Sequence, residues 1–372
     1  MWKLGLAAIS LTACAAASDR IITAPEAIDP PRRIEAADPA HAWTQSTLKA
    51  HGIADTTITD MVRQLDEGAY PGVTSVLLAH KGELVLERYF EGAKADDLQN
   101  TRSASKTITS ALIGIALDRG ELATVDQPVL PLFPEYERDA LEDDPRKGAI
   151  TLAHLLSMRS GVRGNEDAMY PTDDWVGFYW DQPLVAEPGK RFSYATSGPV
   201  VLGSVIIRAG GLRVPDYANR HLFEPMGIRS YRWPISNSRG SQGLAMTGGG
   251  LHLRPRDMAK FGQLYLDGGL WKGKRIVSEE WITASTTQKA TSNLYGEDYG
   301  YFWRMMDRKT PSGTARSYEA WGNGGQFIMV FPALDLVAVF TGTNYGKMPE
   351  MERPFELMER FILPAFAPRS AP

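Results

Sequence analysis

The sequence predicts an α+β fold in which an antiparallel β-sheet is flanked by helices and a mostly helical subdomain is inserted between its two halves. Strand patterns occur early in the 372-residue chain and again near its end, and they fade in between. Helical patterns, with apolar residues three and four positions apart, lie beside both groups of strands. The simplest assembly pairs early and late strands in one sheet and leaves the middle region as an insertion.

The N-terminus has the features of an export segment followed by a tether. Lys3 precedes a short apolar run, and residues 14–54 continue with alanine, proline and charged residues. We therefore predict a signal peptide at 1–13 and a tether at 14–54. Small residues before Cys14, the only cysteine, resemble the lipobox of bacterial lipoproteins, in which that cysteine is acylated. The alternative is ordinary cleavage beyond Cys14. Either way we expect export, to the periplasm or as a membrane-anchored lipoprotein of the bacterial envelope.

The sheet domain is predicted to comprise residues 55–121 and 244–372. Its first half begins with a helix near Thr56 and continues as two strands around a Lys81-Gly82 turn, then a second helix. These are the predicted elements of this half: a helix ended by Gly68, strands Val73–His80 and Glu83–Phe90, and a helix from Ser103 to Asp118 followed by Gly120.

Residues 122–243 are predicted to form the helical insertion, because short helical patterns replace the strand patterns there. Beyond it, Pro255 opens a further helix, four strands follow and a helix closes the chain. The predicted segments are helices at Leu152–Met158, Val200–Ile207 and Val214–Phe223, strands at Tyr299–Arg304, Tyr318–Trp321, Gln326–Phe331 and Leu336–Thr341, and a last helix containing Phe355 to Ile362.

Composition and motifs exclude several functions. A net charge of −4 and a pI near 5.9 give no basic field for nucleic acid. The sequence contains no Gly-x-Ser-x-Gly, no Walker A loop and no Gly-x-Gly-x-x-Gly after a strand, and its six histidines do not form metal-ligand spacings. We therefore expect neither a metal nor another cofactor, and oligomeric state is left open.

The motif that points to chemistry is Ser-x-x-Lys, which occurs at Ser46–Lys49 and at Ser103–Lys106. The first copy lies in the predicted tether and is attributed to chance. The second opens an apolar helix, where residues three apart share a face and free backbone N–H groups favour a developing oxyanion. Ser103 is thus a candidate nucleophile with Lys106 as its base. To accept a proton, the lysine amine must itself be neutral, which burial and neighbouring cations favour.

Two further motifs follow in order. Phe192-Ser193-Tyr194-Ala195-Thr196 lies in the insertion, and Gly322-Asn323-Gly324-Gly325-Gln326 precedes a late strand. Together with Ser103–Lys106 they resemble the three motifs of the serine β-lactamase and DD-peptidase superfamily over roughly residues 55 to 365. The branch with class C β-lactamases, esterases of that fold and 6-aminohexanoate-dimer hydrolases is most similar. The resemblance implies the β-lactamase/transpeptidase-like fold.

The resemblance also implies residue roles. Tyr194 would assist proton transfer, and the backbone N–H groups of Ser103 and Gln326 would form the oxyanion hole. The remaining motif positions would bind substrate. Separately from the resemblance, aromatic and acidic residues of the insertion, together with Trp321, are candidates to line the pocket, and core packing is the alternative role for the tryptophans. These substrate-binding and lining candidates are Thr196, Asn323, Gly324, Gly325, Tyr170, Trp321, Asp173, Asp174 and Trp175.

The third motif departs from the pattern of β-lactamases, because Asn323 stands where a lysine usually holds the substrate carboxylate. A neutral hydrogen bond is weaker than a charged one, so efficient β-lactam turnover is disfavoured. The first hypothesis is therefore a hydrolase of small-molecule esters or amides that forms an acyl-enzyme. The alternatives are a β-lactamase, penicillin-binding protein or D-amino-acid peptidase acting on cell-wall peptide, and an envelope binding or sensor module without turnover.

Overall fold

Strands from both ends of the chain form one large sheet. The structure is a computed structural model, and it describes residues 39–235 and 244–367. The strands are β1 (Thr44–Gln45), β2 (Val73–His80), β3 (Glu83–Tyr89), β4 (Gln99–Asn100), β5 (Tyr231–Arg232), β6 (His252–Leu253), β7 (Leu270–Trp271), β8 (Lys274–Arg275), β9 (Ala290–Thr291), β10 (Asp298–Tyr299), β11 (Arg304–Thr310), β12 (Gly313–Gly322), β13 (Gln326–Phe331) and β14 (Leu336–Gly342). The large sheet has the order β1-β3-β2-β14-β13-β12-β11-β10-β9. Its pairs are antiparallel apart from β1 and β3, which confirms the predicted α+β class.

Helices cover both faces of this sheet and make up most of the middle region. They are α1 (Thr56–Asp66), α2 (Ser105–Asp118), α3 (Pro134–Asp143), α4 (Leu152–Leu156), α5 (Glu166–Met169), α6 (Trp175–Asp181), α7 (Ser197–Gly210), α8 (Val214–Ala218), α9 (Pro255–Leu266), α10 (Glu279–Ser285), α11 (Arg353–Leu357) and α12 (Leu363–Phe366). A π-helical turn, Met358–Ile362, joins the last two, so the predicted closing helix is present but changes its hydrogen-bond pattern midway.

The central strands are buried on both faces. In β14, Leu336 and Ala338 pack into one apolar core, with α1 and the C-terminal helices, whereas Val337 and Val339 pack into a second, with α2 and α9. Strand β13 divides its residues in the same alternating way. Successive side chains of a strand point to opposite faces, so a continuous apolar run is what a strand between two cores requires.

Helix α7 of the middle region packs its apolar side chains against α2. Val201 and Val205 of α7 and Ile108 and Leu112 of α2 are fully or almost fully buried in the same core. The helical subdomain and the sheet therefore share apolar contacts directly at the helix that follows Ser103.

Two segments differ from their predicted form. The described part of the predicted tether, residues 39–54, packs against the sheet: β1 pairs with β3, and Trp43 and Leu48 are buried. The predicted strand Tyr299–Arg304 is split, because the chain turns between β10 and β11 with Phe302 at a φ of 68°. That left-handed conformation is incompatible with a continuous strand.

The signal peptide at 1–13 and the lipidation of Cys14 concern residues outside the described ranges, and they stay predictions. Across residues 39–235 and 244–367, no helix is both long and apolar enough to cross a bilayer.

A pair of histidines fastens the N-terminal segment to the edge of the large sheet. The Nδ1 atoms of His51 and His80 are 2.9 Å apart, and His51 Nε2 is 2.8 Å from a carboxylate oxygen of Glu83. Burial lowers the pKa of His80, and the charges of His51 and Lys81 lower it further, while Asp335 acts in the opposite direction.

Stability is therefore expected to fall as the pH drops below about 6.5, the ordinary pKa of histidine. The pKa of His80 is depressed in the folded state, so the unfolded chain binds the proton more readily and gains from acid. Thermal unfolding between pH 7.5 and 5 measures this loss. His80→Gln is expected to make the dependence shallower, and identical slopes for the variant and the parent would contradict the assignment.

Candidate active site

Ser103 lies in a tight turn immediately before α2. The sequence predicted it as the first residue of the helix, but Arg102–Ala104 form a 3₁₀ turn and the α-helix begins at Ser105. Side chains on either side hold this turn: Thr101 Oγ1 donates to the carbonyl of Leu251 at 2.9 Å and shares a hydrogen bond with Ser105 Oγ, also at 2.9 Å. The hydroxyl of Ser103 is thereby fixed at the mouth of the helix, where free backbone N–H groups lie.

The Lys106 amine joins the serine to a segment distant in sequence. Its Nζ donates to Ser103 Oγ at 2.9 Å and to the carbonyl oxygen of Gly248 at 2.6 Å, and the side chain is only 2% exposed. Because a carbonyl oxygen can only accept a hydrogen bond, one N–H of the Lys106 amine points to Gly248. A neutral amine in this position keeps its lone pair for the serine proton. The sequence predicted the Ser103–Lys106 pair but not the Gly248 acceptor.

Tyr194 lies against the same amine. Lys106 Nζ is 5.0 Å from the centroid of the Tyr194 ring, and the Arg304 guanidinium carbon is 5.8 Å from it. Arg304 is buried and forms an ion pair with buried Glu297. The Lys106 amine and the Arg304 guanidinium therefore both lie close to the Tyr194 ring. No local pattern around Arg304 had indicated that it approaches the site.

The third motif forms a glycine turn between β12 and β13. Gly324 and Gly325 have φ angles of 94° and 95°, in the left-handed region that favours glycine. A Cβ atom on Gly322, at the end of β12, would come within 2.2 Å of the Thr101 carbonyl oxygen. This close approach lets the end of β12 lie directly against the residue that precedes the nucleophile turn.

The side chains of the two polar residues of this turn form hydrogen bonds with the backbone of other segments. Gln326 is fully buried and its Nε2 donates to the carbonyl of Gly342 at 2.5 Å, which leaves any part in an oxyanion hole to its backbone N–H. Asn323 is exposed, and its Oδ1 accepts a 2.7 Å hydrogen bond from the backbone N–H of Gly346.

Glu166 holds two of the predicted substrate-binding residues. One of its carboxylate oxygens accepts a hydrogen bond from buried Thr196, and the other accepts one from the Tyr170 hydroxyl at 3.3 Å. Burial, reinforced by the Glu166 charge, raises the pKa of Tyr170 above its usual range. The sequence had indicated Tyr170 and Thr196 but not the carboxylate that joins them.

The other lining candidates have structural partners. The carboxylate of Asp174 accepts from the backbone N–H of Gly177 at 2.9 Å and from the hydroxyl of Tyr136 at 2.7 Å, so it caps α6. Trp175 is buried in the core, and Asp173 is exposed.

Trp321 reaches the site only indirectly. Its Nε1 donates to Glu319 at 2.6 Å, and its ring lies 4.5 Å from the guanidinium carbon of Arg304. Arg304 also contacts the Tyr194 ring, so it connects Trp321 with Tyr194.

The second Ser-x-x-Lys copy lies in the N-terminal segment. The hydroxyl of Ser46 is 3.0 Å from His51 Nε2, and Lys49 is exposed. This serine is therefore engaged with the histidine cluster. Among the described residues, no group of three or more His, Cys, Asp or Glu side chains is arranged to hold a metal ion.

Comparisons with known proteins identify the family and the fold of the chain. A family model described as Beta-lactamase matches residues 58–359. A 6-aminohexanoate-dimer hydrolase of Paenarthrobacter ureafaciens is 25% identical over 250 residues, which cover 61% of this chain and 59% of that protein. The chain thus aligns with about three-fifths of the length of that relative.

Solved structures share the fold at low identity. An octameric penicillin-binding protein homologue from Pyrococcus abyssi has a TM-score of 0.63 at 20% identity, covering 82% of this chain and 77% of that one. A family VIII carboxylesterase has a TM-score of 0.62 at 20% identity, covering 82% and 97% of the respective chains. Because the family model spans most of the sequence, this chain belongs to the Beta-lactamase family.

Proposed function

We propose that this protein is a serine hydrolase that cleaves carboxylic esters or amides through an acyl-enzyme on Ser103. The observation that carries the proposal is the Lys106 amine, held between Ser103 Oγ at 2.9 Å and the Gly248 carbonyl at 2.6 Å. Family membership, with a hydrolase relative and a carboxylesterase of the same fold, supports a serine hydrolase in general terms.

The proposed reaction has two halves. Lys106, assisted by Tyr194, takes the Ser103 hydroxyl proton as Oγ bonds to the substrate carbonyl carbon. The tetrahedral oxyanion accepts hydrogen bonds from the backbone N–H groups of Ser103 and Gln326. The bond to the leaving alcohol or amine then breaks, and that group receives the proton. Water adds to the acyl-enzyme by the same proton route, and the Ser103 hydroxyl is restored.

Asn323 favours substrates other than β-lactams. Its neutral amide is tied to Gly346 and supplies no cation at the third motif. Cell-wall peptide or β-lactam turnover remains the second candidate function, supported by the Beta-lactamase family model and a penicillin-binding protein homologue of the same fold.

The substrate test uses purified protein with a short-chain nitrophenyl ester, an aminohexanoate dimer and a chromogenic cephalosporin. Turnover of the ester or the amide supports the proposal, and its absence for both would sink it. Fast cephalosporin turnover would promote the second candidate. Stable labelling by a β-lactam without turnover would instead support a binding or sensor module.

Tyr194→Phe is expected to lower kcat/KM for the ester by about 10²- to 10⁴-fold, the usual contribution of a positioned proton-transfer group. The substitution removes only the hydroxyl and leaves the ring that contacts Lys106 and Arg304. Thermal unfolding should therefore change little. Equal activity in the variant and the parent would remove Tyr194 from the proton route.

A further inference from the structure

Arg102 directly precedes Ser103 in the sequence, and among the described residues its guanidinium has no carboxylate partner. Within the described parts of the chain its Nε is enclosed and has no hydrogen-bond acceptor. The buried arginines Arg254, Arg304 and Arg308 instead each form an ion pair with a carboxylate. The Arg102 guanidinium therefore keeps hydrogen-bonding capacity that the described residues do not use.

The backbone fixes the direction of this residue. Arg102 has a φ of 50°, in the left-handed region that non-glycine residues seldom occupy, and its N–H donates to Asn100 Oδ1 at 2.9 Å. On its other side, a Cβ atom on Gly322 would lie 3.1 Å from the Arg102 Cβ. The residue is thus held between the nucleophile turn and the end of β12, in a conformation that costs energy.

The guanidinium lies on the side of the third motif. Its carbon is 4.7 Å from the centroid of the Tyr345 ring. A Cβ atom on Gly324 would meet the same ring at 2.5 Å, so Tyr345 contacts both Arg102 and the third-motif turn. Burial raises the pKa of Tyr345, and the charge of Arg102 opposes that rise, in keeping with the contact between them.

We propose that Arg102 is a carboxylate anchor, which binds a carboxylate on the acyl part of an ester or amide substrate. The inference rests on the proposed function and adds a substrate class to it: half-esters or half-amides of dicarboxylic acids. Asn323 of the third motif is neutral and supplies no cation. Arg102, in the nucleophile turn, would supply one instead. The binding atoms would be the two Nη groups, because Nε is enclosed.

The test compares 4-nitrophenyl esters of glutaric and adipic acid that carry a free distal carboxylate with the same esters methylated at that carboxylate. The parent is expected to prefer the free acids by about 10- to 100-fold in kcat/KM, the range of a hydrogen bond to a charged group. Arg102→Gln is expected to reduce this ratio to about one, and Arg102→Lys to keep part of it. The ratio cancels any general loss of activity in the variants.

Arg138→Gln is the matched control, since it removes the same charge from a side chain that is 82% exposed on α3. It should retain the parent's ratio. A parent that does not discriminate between acid and methyl ester, or an Arg102→Gln variant that keeps the preference, would overturn the anchor.

A binding measurement distinguishes failure of the proposed function from failure of the carboxylate anchor. If no ester is hydrolysed, calorimetry with glutarate and the Ser103→Ala variant still tests Arg102. Adding Arg102→Gln to that variant is expected to weaken glutarate binding by about tenfold or more, the effect of losing one charged hydrogen bond. Unchanged affinity, or no glutarate binding before the change, would overturn the anchor on its own.

Discussion

Replacing Ser103 by alanine is expected to lower kcat/KM for a short-chain nitrophenyl ester by at least about 10⁴-fold, because removing a nucleophile abolishes the covalent route. The Lys106 amine would keep its bond to the Gly248 carbonyl and lose its 2.9 Å partner, so little structural change is expected. Initial rates of nitrophenolate release measure the effect.

Ser46→Ala provides the control, because Ser46 begins the other Ser-x-x-Lys copy. It should hydrolyse the ester at the parental rate. Mass spectrometry after treatment with a fluorophosphonate is expected to show the label on Ser103 in the parent and no label in Ser103→Ala. Ester turnover that survives in Ser103→Ala would assign the chemistry to another residue.

Glu319→Leu is expected to destabilise the protein by about 3 kcal/mol, because it leaves the buried Arg308 with only a longer, 3.7 Å ion pair to the part-exposed Glu359. The buried Glu319 carboxylate accepts two hydrogen bonds from Arg308, at 2.9 and 2.8 Å, and one each from Ser317 and Trp321, both at 2.6 Å. Denaturant unfolding measures the loss as a lower midpoint concentration.

A matching Arg308→Leu substitution distinguishes the effect of the ion pair from the effect of side-chain packing. The double variant Glu319→Leu/Arg308→Leu is expected to recover much of the stability lost by either single variant, since an apolar pair replaces a buried ion pair without stranding a charge. Asp60→Ala, which breaks the exposed pair with Arg63, should have little effect. Strict additivity of the two leucine substitutions would mean that the ion pair is not what stabilises this position.

Local patterns sufficed for the parts of the fold and site that depend on neighbouring residues. The apolar runs of β13 and β14, separated by a turn-like break at Pro332–Asp335, predicted those strands with their correct ends to within a residue. The Ser103–Lys106 spacing likewise predicted a contact that depends only on one turn of helix.

Other features depend on pairings distant in sequence. The Gly248 carbonyl lies 142 residues from Lys106, and Glu166 lies 30 residues from Thr196. Arg304 is a single cation with no flanking motif, and Arg102 directly precedes the Ser-x-x-Lys motif but is not part of it. Strand β11 (Arg304–Thr310) is rich in polar residues, and its charges pair with neighbouring strands, so apolar alternation gave no signal for most of it.

The core shared by α2 and α7 bears on how such an enzyme diversifies. An insertion that only touches the surface of a scaffold can be exchanged between relatives, but here Val201 and Val205 belong to the same buried core as Ile108 and Leu112. A transplanted subdomain would have to match this surface atom for atom, or the helix that follows the nucleophile would shift. Substrate range is therefore expected to evolve by single substitutions at the rim of the cleft, whereas wholesale recombination of the middle region would cost both folding and chemistry.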